Sequence, residues 1–438
     1  MFTNLTRGRT RLLPAILLSL VVVTPSSARN VRLAPTGKPV DYERVRKALG
    51  SLAPGDTLTL MRGTFDWSAN LSDSSLVAKQ PGGMPIPVPR VVVRGEPAQP
   101  GRAGVAGTLL KGAVDDDGRP ARPKRGTNAA FRNAPNADGV TIEDLTFDSF
   151  ENAIVLIQAD TLVSATPVDA LRNGTRDWTL QRLVVKGGPF GIMANGRHEG
   201  LTIRDCEFTM ALPPHETKPG PAPREGSFAV AVRPYPPAYP GLPTGVVIEN
   251  NRTHGPVRER ESEIFGGLIL TSTNGRLVGN EVTAWGIGMV VEGDSLDVSN
   301  NRINDCRIGI VAWSTDRLGT GTSHARIAGN EIRDTRRQAT GFLSDFTGTG
   351  LFLAGLRDSR IEDNRFKGNA GPDIVFGALP ATKSSSGNVL AGNGGTIVLT
   401  DASRQSNTIS GSQLRVLGNR PNPPIVPDSS YVTTPKKP

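Results

Sequence analysis

One motif constrains this chain more than any other feature: a short apolar-alternating strand, an asparagine, a second short strand, then a turn and a Gly-apolar-x-apolar segment. It recurs as LTIRDCEF (201–208), VVIENNRT (246–253), RLVGNEV (276–282), LDVSNNRI (296–303), ARIAGNEI (325–332) and SRIEDNRF (359–366). On this reading Asn251, Asn280, Asn301, Asn330, Asn364 and Asn388 hold one place in successive units, and Leu145, Leu183 and Cys206 hold it upstream. The spacings fit a coil of about 21–24 residues interrupted by loop insertions. Strands this short cannot bury a core alone, so each unit must stack on its neighbours. Asparagine suits the left-handed backbone of a tight corner, and stacked side-chain amides can hydrogen-bond from coil to coil.

The second half of each unit reads GIMAN (191–195), FAVAV (228–232), GLILT (267–271), GMVVE (288–292), GIVAW (309–313), GLFLA (350–354) and GTIVL (395–399). Strand alternation sends Ile192, Ala229, Leu268, Met289, Ile310 and Leu351 to the inside, followed by Ala194, Ala231, Leu270, Val291, Ala312 and Leu353. Composition agrees with a strand- and turn-rich chain. The 50 glycines and 35 prolines of the 438 residues make up about 19%, against roughly 12% in average proteins. That density would break helices repeatedly, and the glycines lack the three-residue period of collagen. Recurring Val-, Ile- and Leu-rich stretches argue against disorder. Cys206 and Cys306 fall three coils apart in this register, a gap of about 14 Å at roughly 4.8 Å per coil. Both are therefore expected to be free and buried, out of disulfide reach.

Residues 1–28 read as an export signal: Arg7, Arg9 and Arg11, the apolar run Leu12–Val23, then Ser26-Ser27-Ala28 at the cleavage positions. The run is short for a membrane span, so no stable membrane insertion is expected after cleavage, and the mature protein is expected to be secreted or periplasmic. The formal net charge of +9 falls to about +6 without the signal. A further two units sit on the Pro-rich tail 419–438, which is expected to be flexible. The remaining +4, without a basic stripe, is too mild to argue for nucleic acid. Residues 29–418 then form one solenoid domain, because stacked coils grow along an axis and do not divide into globular units.

The repeat resembles the right-handed parallel β-helix of the pectate-lyase-like superfamily, over roughly residues 40 to 415. The stretch DYERVRKALGSLAPGDTLTLMRGTF (41–65) looks like that family's opening helix, PGDT strand and GTF turn, with Val45, Ala48 and Leu49 on the apolar face of a capping helix. FRNAPNADGVTIEDLTFDSFENAIVLIQ (131–158) looks like an early coil. The resemblance implies an all-β fold of about ten coils with a short N-terminal capping helix. Its members include lyases, hydrolases, esterases, epimerases and non-catalytic proteins, so function must be argued from the site. The clustered motifs of polygalacturonases, pectate lyases and alginate epimerases do not occur here, and no catalytic role is transferred.

Long insertions at 209–227, 254–266 and 333–349 precede the Gly-apolar strand, and others at 159–177 and 234–244 follow it. Such loops would wall a groove along the outer face of that strand. The first outward row reads Val155, Met193, Val230, Ile269, Val290, Val311, Phe352 and Ile397, apolar enough to be covered by loops. The second reads Asn195, Val232, Thr271, Glu292 and Trp313, and beyond it Arg197, Arg233, Thr273, Asp294 and Asp316. Glu292 and Asp294 lie about 6.5–7 Å apart on an extended strand, with Asp316 approaching from the next coil. Such carboxylates suit acid–base work on a glycosidic bond or joint coordination of Ca²⁺; a solvated acidic edge is the structural alternative. Trp313 is a candidate platform for a sugar ring or a local cover over the apolar row. Arg197 and Arg233 are candidates to grip a uronate carboxylate. His198 is a candidate base, or an exposed turn residue. His215 and His254, in loops of adjacent coils, are candidates to meet. No zinc motif is present.

These residues favour an exported carbohydrate-active protein, a polysaccharide lyase or glycoside hydrolase on an acidic polysaccharide, expected to be monomeric. Glu292, Asp294, Asp316, Arg233 and His198 are the catalytic candidates; Trp313, Arg197, Asn195 and Thr271 are the substrate-binding ones. The competing reading is a non-catalytic carbohydrate-binding or exopolysaccharide-assembly protein, which needs polar edges and an aromatic platform but no convergent acid and base.

Overall fold

The computed structural model describes residues 27–68, 83–98, 107–116, 118–121, 128–157, 174–211, 227–234, 241–256, 266–313, 321–338, 343–377, 385–399, 406–410 and 413–419. Each coil lays down three strands, exemplified by Val247–Glu249, Arg252–His254 and Gly266–Thr273, which we assign to sheets I, II and III. The sheets hold thirteen, ten and twelve strands, and every pairing between their successive strands is parallel, as in Val247↔Arg276, Arg252↔Glu281 and Leu268↔Met289. The fold is therefore a right-handed parallel β-helix, the hand that parallel crossovers take. Ten coils contribute to all three sheets among the described residues.

The core is a set of one-residue-wide apolar columns. In sheet I, Ile248, Leu277, Val298, Ile327 and Ile361 stack directly on one another, and all are fully buried. In sheet III the column runs Ile154, Ile192, Val230, Leu268, Met289, Ile310, Leu351, Ile374 and Ile397. Two positions differ from the expected register. The strand Phe228–Arg233 pairs Phe228 with Phe190, so Val230 and Val232 hold the inner column in place of Ala229 and Ala231, while Ala229 also packs in the core at the corner before it. A run of small apolar residues reads equally well in either register, and a one-residue slip exchanges the faces. Ile397 likewise lies in the inner column, opposite Ile374.

The N-terminal end is closed as expected. The helix Val40–Gly50 buries Tyr42, Val45 and Leu49, with Ala48 packed against the core. Tyr42 meets Trp67 edge-on at 5.7 Å, and Trp67 meets Phe131 at 5.6 Å. A strand, Asn30–Leu33, precedes the helix and pairs with Thr57–Leu60. The proposed signal lies almost wholly outside the described residues, as does the tail beyond Asn419. No helix among the described residues is long and apolar enough to cross a membrane.

The asparagines form a continuous internal ladder. The Oδ1 of Asn280 accepts both the backbone N–H and the Nδ2–H of Asn251, at 3.0 Å each. Asn301 does the same for Asn280, Asn330 for Asn301, and Asn364 for Asn330. Each Nδ2 also donates to a carbonyl of the preceding coil, as Asn301 does to Leu277 at 2.8 Å. Two expectations are corrected here. The next rung after Asn364 is Asn393; Asn388 instead belongs to a second ladder at another corner, between Ser359 and Asn407. The left-handed residue is also the one before each rung, such as Asn250 (φ 55°), Asn300 (φ 57°) and Asp363 (φ 54°). The rung itself turns inward, where its amide satisfies the corner's buried backbone groups. Cys206 ends the ladder, its N–H donating to Asn251 Oδ1 at 3.0 Å, and both cysteines are free and buried.

Leucine fits this position in the upstream coils, where Leu145 and Leu183 are buried, so Asn→Leu isolates the hydrogen bonding. Asn301→Leu orphans two buried donors of Asn280 and is expected to cost about 3 kcal/mol, at roughly 1–3 kcal/mol per unsatisfied group. Asn251→Leu orphans one such donor, the Cys206 N–H, and, like Asn301→Leu, also removes an Nδ2 bond to a carbonyl of the preceding coil, so it should cost less. Urea denaturation of the two variants checks this; equal losses would mean that the ladder does not carry the difference.

Candidate functional site

In chain order the long insertions enter and leave the strands of sheet III, so its outer face is the candidate surface. Most of those loop residues (158–173, 212–226, 235–240, 257–265 and 314–320) lie outside the described set, as do His215 and Asp316. The insertion before Thr349 is mostly described. Its short 3-10 turn Ser344–Phe346 places Phe346 over Phe352, ring centroids 4.2 Å apart. Together with Ile287, Val290, Ile308, Val311, Val375 and Val398 they form a second apolar cluster outside the coil. The expected loop cover over the apolar row is therefore present at the C-terminal half. The row itself runs Val155, Met193, Ala231, Ile269, Val290, Val311, Phe352, Val375 and Val398, with Ala231 in place of Val230, Val398 in place of Ile397, and Val375 added from the coil between. Trp313 is half-buried and packs against this cluster.

The corrected register also changes the polar row. Asn195 pairs with Arg233, and Thr271 with Glu292. Because Val232 pairs with Leu270 and Val291 with Ala312, Arg233 lies beside Thr271 and Trp313 beside Glu292. The row is thus Asn195, Arg233, Thr271, Glu292, Trp313, with Arg233 at the place first read as Val232. Asn195, Thr271 and Glu292 are each no more than 6% exposed. Arg233 Nε donates to Asn195 Oδ1 at 3.3 Å. Arginine, carboxylate and indole therefore line one outward column on neighbouring coils, about 4.8 Å apart per step.

The other candidates lie elsewhere. Arg197 is paired with Glu199 at 2.8 Å, and Arg176 joins the same carboxylate at 3.1 Å. His198 is buried completely, which corrects both its reading as an exposed turn residue and its reading as a surface base. Its Nδ1 shares a hydrogen bond with Thr175 Oγ1 at 2.7 Å, while Nε2 makes no well-formed hydrogen bond among the described residues. Burial drives its pKa down to about 4. His254 lies on the strand Arg252–His254 of sheet II and not in a loop. There it borders an open groove of about 430 Å³, lined also by Glu207, Arg252 and Glu281. Those three alternate in sign directly above one another, and Arg302, Glu331 and Arg365 continue the series. Opposite charges on facing positions serve in-register stacking.

Asp294 does not face Glu292 as a partner. Between them Gly293 has φ +133°, and a Cβ there would lie 1.9 Å from the Ser272 carbonyl oxygen, so the strand bends as only glycine allows. Asp294 turns to the corner of the next coil. Its Oδ1 accepts from Ser323 Oγ at 2.6 Å and bonds His324 Nδ1 at 2.7 Å, and its Oδ2 accepts from Ser295 Oγ at 2.8 Å. The bonds from His324 and Ser323 pull its pKa down to about 2. Asp294 is an ionised acceptor, unfit as a general acid near neutrality. The same bond raises the pKa of His324. His324 carries no motif, and strand reading passes over it; only the fold places it against Asp294. Among the described residues, no three His, Cys, Asp or Glu side chains gather as a metal site.

His198 makes stability depend on pH. Its folded pKa, about 4, lies below the unfolded value near 6.5, so unfolding takes up a proton between those values. Stability is then complete above about pH 6.5 and falls as pH drops toward 4, by up to about 3 kcal/mol. The raised His324 contributes no slope in that window, since its effect changes only above about pH 6.5. Urea denaturation at pH 7 and pH 5 should differ in the wild type, and the difference should shrink in His198→Leu. An undiminished slope in that variant would assign the effect to other groups.

Comparison with known proteins bears on the fold. A family model described as right handed beta helix region matches residues 244–414, and no curated protein matches. DFA-IIIase from Arthrobacter chlorophenolicus A6 in complex with GF2 is 13% identical, with 89% of this chain and 99% of that one covered and a TM-score of 0.50. The Dettilon tailspike protein is 13% identical over 89% of this chain and 68% of its own, with a TM-score of 0.52. The mannuronan C-5 epimerase AlgE4 A-module of Azotobacter vinelandii is 16% identical over 86% and 92%, at a TM-score of 0.38. The likeness bears on the fold alone and agrees with the architecture read from the coils, a right-handed parallel β-helix.

Proposed function

We propose that this protein is exported and acts on an acidic polysaccharide as a lyase or glycoside hydrolase, along the outer face of sheet III. The observation that carries the reading is the column Asn195, Arg233, Thr271, Glu292 and Trp313. It offers a cation for acidic sugars, a buried carboxylate and an aromatic face, spaced by the coil repeat along an axis that a linear polymer can follow. The β-helix neighbours support a saccharide ligand without specifying one: DFA-IIIase is complexed with GF2. Arg197, engaged with Glu199, would border the site rather than line it. Trp313 serves the site only at its exposed edge, since it also seals the apolar cluster. Ca²⁺ has no three-carboxylate site among the described residues, and the reading does not depend on it.

The test is a panel of uronate-containing and neutral polysaccharides incubated with the mature protein, with and without Ca²⁺. Unsaturated-uronate absorbance indicates a lyase; new reducing ends without it indicate a hydrolase. Binding without product from any polymer would favour the non-catalytic carbohydrate-binding reading. Glu292→Gln keeps the shape of a buried side chain and is expected to lower turnover at least about 100-fold without shifting the thermal midpoint. Full activity in that variant would remove Glu292 from the machinery.

A further inference from the structure

The corner between sheets III and I repeats with a left-handed residue in every coil. From Gly139 onward that residue is Gly139, Asp177, Gly200, Gly245, Asn274, Ser295, His324, Asp358 and Gly387, all with φ between 48° and 69°. Eight of the nine are Gly, Asp, Asn or Ser, which tolerate this backbone or bond to it locally. The ninth is an imidazole. It is also the one whose side chain takes a carboxylate from the previous coil, through the 2.7 Å contact of Nδ1 with Asp294. Asp294 is held in turn by Ser323 and Ser295. The imidazole is 63% exposed, so a carboxylate fixes one nitrogen and leaves the ring open to solvent, the arrangement that prepares Nε2 as a base.

The position is right for the proposed site, on which this inference rests. Asp294 is two residues beyond Glu292 on one strand, and Ser323 pairs with Asp294 across the coils. Hydrolysis needs two carboxyl groups facing one glycosidic bond, and Asp294 is instead engaged at the corner by Ser323, His324 and Ser295. Elimination needs a base and a cation at the uronate carboxylate. Arg357, whose carbonyl accepts the His324 N–H at 3.1 Å, brings a guanidinium whose charge acts on the imidazole, whereas Arg233 stands three coils away in the row of Thr271 and Glu292. We propose that His324, oriented by Asp294, is the catalytic base of a β-elimination on a uronate-containing polysaccharide.

In that step neutral Nε2 takes the proton from the sugar carbon next to the carboxylate. The C–H electron pair becomes the new C=C bond, the neighbouring C–O glycosidic bond breaks, and the imidazolium returns its proton to the departing oxygen. Nothing is oxidised and no co-reactant is consumed. The charge of the imidazolium is met by Asp294; Asp358 and Arg357, on the next coil, also act on it with opposite signs.

His324→Asn is the decisive variant, because Asn274 already holds the same backbone conformation two coils away. It should melt with the wild type and lose about 10²–10⁴ in the rate of unsaturated-product formation, with partial recovery on adding imidazole. The rate should rise with pH as His324 loses its proton. Asp294→Asn removes the contact that raises its pKa, so the limb should move to lower pH while the maximal rate falls; a merely structural Asp294 would leave the limb in place. Wild-type activity within twofold in His324→Asn overturns the assignment. Reducing ends without unsaturated product overturn elimination and leave the polysaccharide reading standing. No product on any polymer overturns that reading and this one together.

Discussion

Everything in this molecule depends on parallel pairing of one coil with the next at a fixed register. The pairing repeats each residue type at about 4.8 Å, so any position occupied by like charges would repel along the whole stack. The chain mostly keeps like-on-like columns where likeness is favourable; of the exceptions, Arg326 and Arg360 face each other but share the Glu362 carboxylate, and Arg333 faces Lys367. Apolar residues fill the interior, asparagines hydrogen-bond to asparagines at the inner corner, and outward charges alternate in sign, as in Glu207, Arg252, Glu281 and Arg302. Exposed pairs of that kind contribute little stability individually. Their value is in not opposing the register that the buried columns set.

The ladder and the apolar columns divide the work between specificity and stability. Apolar residues alone specify the register weakly where both neighbouring positions are small and apolar, as in the Phe228–Arg233 strand. An asparagine rung cannot slide, because a shift of one residue strands two donors and an acceptor in a dry interior. Where the rungs stop at Cys206, large aromatics take over toward the capped end: Phe208, Phe147, Phe131 and Trp67 are all fully buried.

The same rigidity bears on chemistry. Side chains on sheet III are fixed by pairing on both sides, which is the support that a catalytic or binding constellation needs. Corners are less constrained, and function-bearing residues can sit there if their backbone conformation is tolerated. Asp294 and His324 occupy that intermediate zone, tied to the sheet through Gly293 and to each other through one short hydrogen bond. His198, by contrast, is a titratable group sealed inside, where it affects stability rather than reactivity.

The architecture was legible in the sequence because a solenoid repeats its local rules. The Asn spacing, the Gly-apolar strands, the capping helix and the free cysteines all follow from contacts between adjacent coils of known sequence offset. The outward row was legible in part: Asn195, Thr271, Glu292 and Trp313 were assigned correctly, while Arg233 was displaced by the one-residue ambiguity of FAVAV. Three features were decided only in three dimensions. Asn388 joins a different ladder, since two corners of each coil carry similar short motifs. His198 is buried, since its position before a strand does not reveal what covers it. Asp294 bonds His324 thirty residues away, and that distance in sequence depends on how many residues the intervening loop contains. The sequence determined the column each residue type could occupy; the stacking determined which residues share a column, because register is a property of two coils at once.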